Sequence, residues 1–473
     1  MFDTAMKLAR VSGLGLALGL ATFGGAGAPP AAALSTPEVA RRVTETLHPP
    51  ADVESIWRQQ VKVERLQCEF GGWTGVTVAS YKNDDNDRNS PDAVTTLMMR
   101  ELRLWSRMWL RDGSTAYVRL RQIGYGFQTA DGVTDPNMPS AGFDLDLGYV
   151  DVAGWGGTWR LGRQYVRLGS GIALDGTLDG ARLTGQRGSF GYGLLLARNK
   201  PGELDVDSNI SVPRRVFEGV DFQMLRHDQH RLFGFMLVER DHSLQPSGIS
   251  GAAQGFHYDA EYLGAGLDGR LSRNMDYHLE GIRQTGQSFY LGSGTLQNDI
   301  AAWAGLGSLT HHQDRPMHPV YSLEYAFSSG DAGRLPGIST VSNNLAAQDD
   351  KSFLGFGRYE GGVALNPRLS NLCVLRLGAS ARPWDETPGF EDLTLGGKFS
   401  LYRKADSVGG ISDPEATNPS ADVGNGLDLY LGWRIFTDLS WMLQYGVFNP
   451  GAAYPAAVSD ATQAFYSNMT WSF

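Results

Sequence analysis

Residues 465–473 fix the kind of wall this chain can build. Phe465, Ser467, Met469, Trp471 and Phe473 fall on one face of a period-two alternation, and Tyr466, Asn468, Thr470 and Ser472 fall on the other. One face is apolar and aromatic, the other polar without charge. Such a strand separates two media, either lipid from water or a soluble core from solvent, and the rest of the chain decides between them.

Composition favours lipid. The chain has 473 residues with 60 glycines, 11 tryptophans and 18 tyrosines, yet only 42% of it is hydrophobic, which suits many strands that are apolar on one side alone. No apolar run long enough for a membrane helix follows the N-terminal region. Residues 1–33 have the form of a cleaved secretory signal peptide: Lys7 and Arg10 precede the apolar run Val11 to Phe23, and Ala31 and Ala33 offer a small-x-small cleavage site before Leu34. Export together with one-sided strands implies a Gram-negative cell outer membrane. The two cysteines, Cys68 and Cys373, lack the spacing of a metal or redox motif, and the formal charge of −10 argues against a nucleic-acid partner.

Residues 34–72 read as a partly helical periplasmic extension, with Ser35 to Glu38 starting a helix over Val39 to Leu47 and a second helical pattern over Val53 to Gln59. From Trp73 to Phe473 the pattern is strands. The tract Asn83 to Arg88 lacks the glycine and distal glutamate of a calcium-binding EF-hand and reads as a solvated outer loop. Short connections are expected at 111–114, 153–157, 187–189, 226–230, 272–274, 311–318, 383–391 and 436–438. Long ones alternate with them at 82–99, 126–142, 167–177, 199–213, 241–255, 287–298, 329–370, 405–423 and 449–462. Short periplasmic turns alternating with longer outer loops are the rhythm of an outer-membrane β-barrel, and this spacing gives about eighteen antiparallel strands with both ends in the periplasm. An aromatic at the end of the last strand suits that fold. A barrel of this size holds an aqueous channel, and the loop at 329–370 is long enough to fold into the pore.

Candidate functional residues are basic and lie opposite the apolar faces. Arg103, Arg107, Arg119 and Arg121 alternate with Leu102, Leu104, Val118 and Leu120 on two strands joined by Asp112-Gly113. Arg376 stands opposite Leu375 and Leu377, Lys398 opposite Phe399 and Leu401, and Arg434 opposite Leu431 and Trp433. Rings of Arg and Lys are how pores favour anionic solutes; pairing with lumen acids such as Glu324, Asp428, Asp276 and Glu280 is the competing explanation. His311, His312 and His318 read as a solvated turn rather than a metal site. No catalytic set, metal site or cofactor is expected, although His278 between Asp276 and Glu280 leaves a barrel-type outer-membrane hydrolase open.

Several segments, in order, resemble the alginate export porin family. Leu161-Gly162-Arg163-Gln164 followed by Leu178-Asp179-Gly180 is similar to its glycine-arginine-glutamine region. Phe356-Gly357-Arg358-Tyr359, Leu365-Asn366-Pro367 and Leu369-Ser370-Asn371-Leu372 resemble a second block, and Gly426-Leu427-Asp428-Leu429 with Val447 to Tyr454 resembles the final hairpin. The resemblance implies a monomeric eighteen-stranded barrel whose arginine-rich constriction passes an anionic polysaccharide or uronate-like solute, with periplasmic secretion components as further partners. It adds Arg163, Arg358 and Arg368 as pore-lining positions. The extra stretch at 34–72 and the outer loops depart from the family pattern, so a substrate-specific uptake porin for small nutrients stays open as the alternative.

Overall fold

The computed structural model describes residues 59–473 except 64–65, 88–94, 111–112, 129–133, 136–141, 155, 202–204, 208–209, 211, 227–228, 244–257, 290–296, 336 and 341–347. The signal peptide expected at 1–33, the helical pattern expected over Val39 to Leu47 and the second pattern as far as Arg58 lie outside the described residues.

All strands among the described residues belong to one antiparallel sheet of twenty members, of which Gln59–Val63 and Thr134–Asp135 are short appendages and eighteen form a closed barrel. The first nine barrel strands are β1 Leu66–Lys82, β2 Thr96–Trp109, β3 Thr115–Gln128, β4 Asp144–Gly154, β5 Gly157–Leu168, β6 Leu174–Arg187, β7 Phe190–Asn199, β8 Arg215–Arg226 and β9 His230–Asp241. The remaining nine are β10 Asp259–Ser272, β11 Met275–Phe289, β12 Gln297–His312, β13 Val320–Ser328, β14 Leu372–Ala381, β15 Thr394–Lys404, β16 Asp422–Arg434, β17 Leu439–Pro450 and β18 Thr462–Ser472. Each pairs with the next, and β18 closes on β1 from Trp73↔Ser472 to Lys82↔Gln463. Reciprocal bonds of 2.9 Å between the backbones of Gly72 and Phe473 complete that seam.

The period-two alternation sorts the wall as expected. Leu194, Leu196, Leu375, Leu377, Leu427 and Leu429 point outward and are exposed, as are Phe465, Met469 and Trp471 on β18. Apolar surface on this scale is not stable in water and is what acyl chains cover. The inner face carries Arg103, Arg119, Glu239, Gln284, Arg376 and Asp428, all buried.

Two boundaries differ from the sequence expectation. The first wall strand starts at Leu66 rather than Trp73, because Gln67 to Gly72 continue the register against Trp109 to Leu104 of β2. The outer connection expected at 167–177 is a hairpin tip at 169–173, since β5 and β6 stay paired as far as Leu168↔Leu174.

Candidate functional site

That hairpin is the first of two elements that fill the lumen. β4 pairs with β5 only between Gly154↔Gly157 and Gly148↔Arg163, and β6 leaves β7 at Leu178↔Asn199. Beyond those points β5 and β6 run on together, away from the wall. Gly162, at φ +126, makes the departure possible: a Cβ there would stand 2.3 Å from the Gly148 carbonyl oxygen. Val166, Leu168, Ile172 and Leu174 are buried in a cluster with Phe217, Phe235 and Leu237 of the wall. The tip reaches β11, where the Ser170 amide donates to Glu280 Oε2 at 3.0 Å.

The second element is the connection 329–371 between β13 and β14, which crosses the lumen as a strap. It is tied to the wall on one side by Leu354, whose amide donates to Gln284 Oε1 at 2.9 Å and whose carbonyl accepts from Tyr262 Oη at 2.6 Å. It then runs beside the hairpin tip: the amides of Phe356, Gly357 and Arg358 donate to the carbonyls of Ala173, Ile172 and Gly171 at 3.0, 3.2 and 3.0 Å. Arg215, paired with Asp205 at 2.6 Å and Glu239 at 2.9 Å, lies 4.8 Å from the Phe356 ring centre. On the far side Tyr359 Oη donates to Glu324 at 3.0 Å, Tyr402 Oη donates to the Gly361 carbonyl at 2.7 Å, and the Val363 amide donates to Asp428 Oδ1 at 3.0 Å. Burial raises the Tyr359 phenol above its ordinary pKa, which keeps it a donor.

Strap and tip leave a cavity of about 1290 Å³ along the lumen. Its basic lining residues are Arg160, Arg167, Arg182, Arg358, Arg368, Arg376 and Lys398, against the acids Glu101, Asp175, Glu324, Glu360 and Asp428. Much of the remaining lining is uncharged and polar, including Ser308, Thr310, Ser440, Gln444, Asn468 and Thr470. A second cavity of about 100 Å³ shares Asp175, Gly357, Arg358 and Arg368 with the first, which places these residues on the partition between the two.

The lining cations differ in how far acids neutralise them. Arg376 lies 3.2 Å from Glu324 and donates to Ser400 Oγ at 3.1 Å. Arg160 is held in a bidentate pair by Asp151 at 2.8 and 3.0 Å, and Arg182 lies 3.4 Å from Asp221. Arg368 donates to the Gly357 carbonyl at 3.4 Å. Lys398 stands 6.0 Å from the Tyr430 ring centre. The half-buried Arg358 guanidinium has no acid within ion-pair distance among the described residues.

The basic residues expected from sequence therefore divide. Arg358, Arg368, Arg376 and Lys398 line the cavity; Arg103, Arg107, Arg119, Arg121, Arg163 and Arg434 are not among its lining residues. Arg103, 2% exposed, lies 2.5 Å from Glu101, and Arg119, 3% exposed, lies 2.6 Å from Asp146. Both guanidiniums stand 5.5 Å from the Trp73 ring centre. Arg107 covers Tyr117 at 5.6 Å, and Arg121 stands opposite Arg103 in the register of β2 and β3. Arg163 sits at the bend of the hairpin, held by Asp179 at 2.7 and 3.0 Å and by the Leu145 carbonyl at 2.7 Å. Arg434 is exposed beside a short turn and pairs with Asp392. Arg160, Arg167 and Arg182 are lining residues that strand alternation did not single out. Of the histidines, His312 bonds Asp276 at 3.0 Å and His318 lies 3.5 Å from Asp385.

A closed barrel that is apolar outside, with a constricted polar lumen, defines a channel of the outer membrane. A family model described as alginate export matches residues 73–467, and the chain belongs to that family. The barrel is similar in fold to solved structures of OccK8 (OprE) from Pseudomonas aeruginosa, at a TM-score of 0.57 with 10% identity over 86% of this chain and 98% of that one. It is also similar to OccK11 (OpdR) from the same organism, at 0.53 with 11% identity over 86% and 96%, and to OccAB1 from Acinetobacter baumannii, at 0.52 with 13% identity over 89% and 99%. No curated protein sequence matches the chain.

Proposed function

We propose that this channel passes an anionic polysaccharide, or a related uronate-like solute, by passive diffusion out of the periplasm, without chemistry on the solute. The observation that carries this reading is Arg358: it borders both cavities, and among the described residues no acid lies within ion-pair distance of its guanidinium. A guanidinium so placed accepts a carboxylate in a two-point charge-assisted contact, replacing the water the anion leaves behind. Lys398 and Arg368 offer further stops in the same cavity. Several weak sites in series let a chain advance without being trapped at any one.

The reversal potential of the purified channel in a planar bilayer under a salt gradient tests this. Anion preference is expected, and Arg358→Glu should move it toward cations; a wild-type channel that prefers cations would refute the reading. The uptake of small anionic nutrients is the second reading, favoured by the strap and hairpin, which confine the cavity to about 1290 Å³. Current block that deepens with oligouronate length supports the polymer, and block by monomers alone supports uptake.

A further inference from the structure

We propose that Glu280 is a positioning residue for Arg358, acting through the hairpin tip. The inference rests on Arg358 being the selective contact. Glu280 belongs to β11, on a different part of the wall from β5 and β6, and its side chain is fully buried. A wall position beside Phe235 is filled at least cost by an apolar side chain. The carboxylate instead accepts the Ser170 amide at 3.0 Å, which makes it the wall's polar anchor for the tip.

The seat is close. Gly169 turns at φ +55, and a Cβ there would stand 1.9 Å from Glu280 Oε1 and 2.9 Å from Phe235. One residue beyond Ser170, the Gly171 carbonyl accepts the Arg358 amide, and the next two carbonyls accept Gly357 and Phe356. A displacement of the tip is therefore carried through three backbone bonds to the strap segment bearing Arg358. Among the described residues Glu280 Oε1, Ser170 Oγ and His278 Nε2 have no hydrogen-bond partner. His278 Nε2 lies 3.9 Å from Glu280 Oε2, and its Nδ1 lies 3.8 Å from Asp268.

Glu280→Ala and Glu280→Gln in the full-length protein test the proposal, with heat-modifiable gel migration confirming that each barrel has folded. In planar bilayers Glu280→Ala should enlarge the population of a higher-conductance state about tenfold, the loss expected for one charge-assisted hydrogen bond, and should reduce anion preference. Glu280→Gln, which keeps an acceptor for Ser170, should restore both. In an Arg358→Gln background Glu280→Ala should still raise conductance but leave selectivity unmoved. Wild-type conductance and selectivity in Glu280→Ala would overturn the anchor. Raised conductance with unchanged selectivity, where Arg358→Glu does shift selectivity, would overturn the link to Arg358. If Arg358→Glu shifts nothing while Glu280→Ala raises conductance, the anchor stands and the Arg358 reading fails.

Discussion

Replacing Gly357 by alanine should open the constriction without unfolding the barrel. A Cβ at this position would lie 1.6 Å from the Gly171 carbonyl oxygen and 2.8 Å from that of Ile172, and both are backbone atoms that no rotamer change can move. Ordinary carbon contacts begin at about 3.5 Å, so the strap must withdraw by roughly 2 Å. Such a shift takes the bonds of Phe356, Gly357 and Arg358, now 3.0 to 3.2 Å, beyond hydrogen-bonding range. Three bonds at a net of ~1 kcal/mol each give ~3 kcal/mol against the docked strap, about two decades in the ratio of docked to undocked channels. The ladder of eighteen strands is untouched, so heat-modifiable migration should be unchanged. Single-channel recording should show a larger unitary conductance and a weaker anion preference. A folded Gly357→Ala barrel with wild-type conductance and selectivity would refute the argument that strap and tip form one unit.

Leu427 faces lipid and is 44% exposed near the middle of β16, so Leu427→Arg should lower the folding free energy by ~2–4 kcal/mol, read by denaturant titration in lipid vesicles. Asp146→Asn removes the acid 2.6 Å from the buried Arg119 and 3.5 Å from Arg103. Losing this buried charge from beside two guanidiniums should cost ~2 kcal/mol in the same titration, while changing anion preference far less than Arg358→Glu does.

The divided fate of the arginines has an electrostatic cause. Arg103, Arg119 and Arg121 are crowded onto neighbouring inward positions of two strands, where bare charges would repel. Glu101 and Asp146 meet this crowding and take Arg103 and Arg119 out of the aqueous path. Alternation reported correctly that these side chains face inward. It carried no information on which acid, from which strand, would stand beside each one.

Sequence by itself determined the wall. Side-chain parity is a local property, so Leu375, Arg376 and Leu377 reveal their sides of β14 without any partner strand, and connection lengths alone counted the strands. The contents of the lumen were decided only by tertiary structure. Gly162 lets β5 bend away from β4, Glu280 lies far along the chain from the Ser170 it anchors, and Arg358 reaches the partition because Gly357 lets the strap close on Gly171. Those relations join residues from distant parts of the barrel, and contacts of that range are set by how the sheet closes rather than by any local pattern. The closing strand at 465–473, with its uncharged inner face, marks the limit: it defines the barrel and leaves selectivity to the strap and the hairpin.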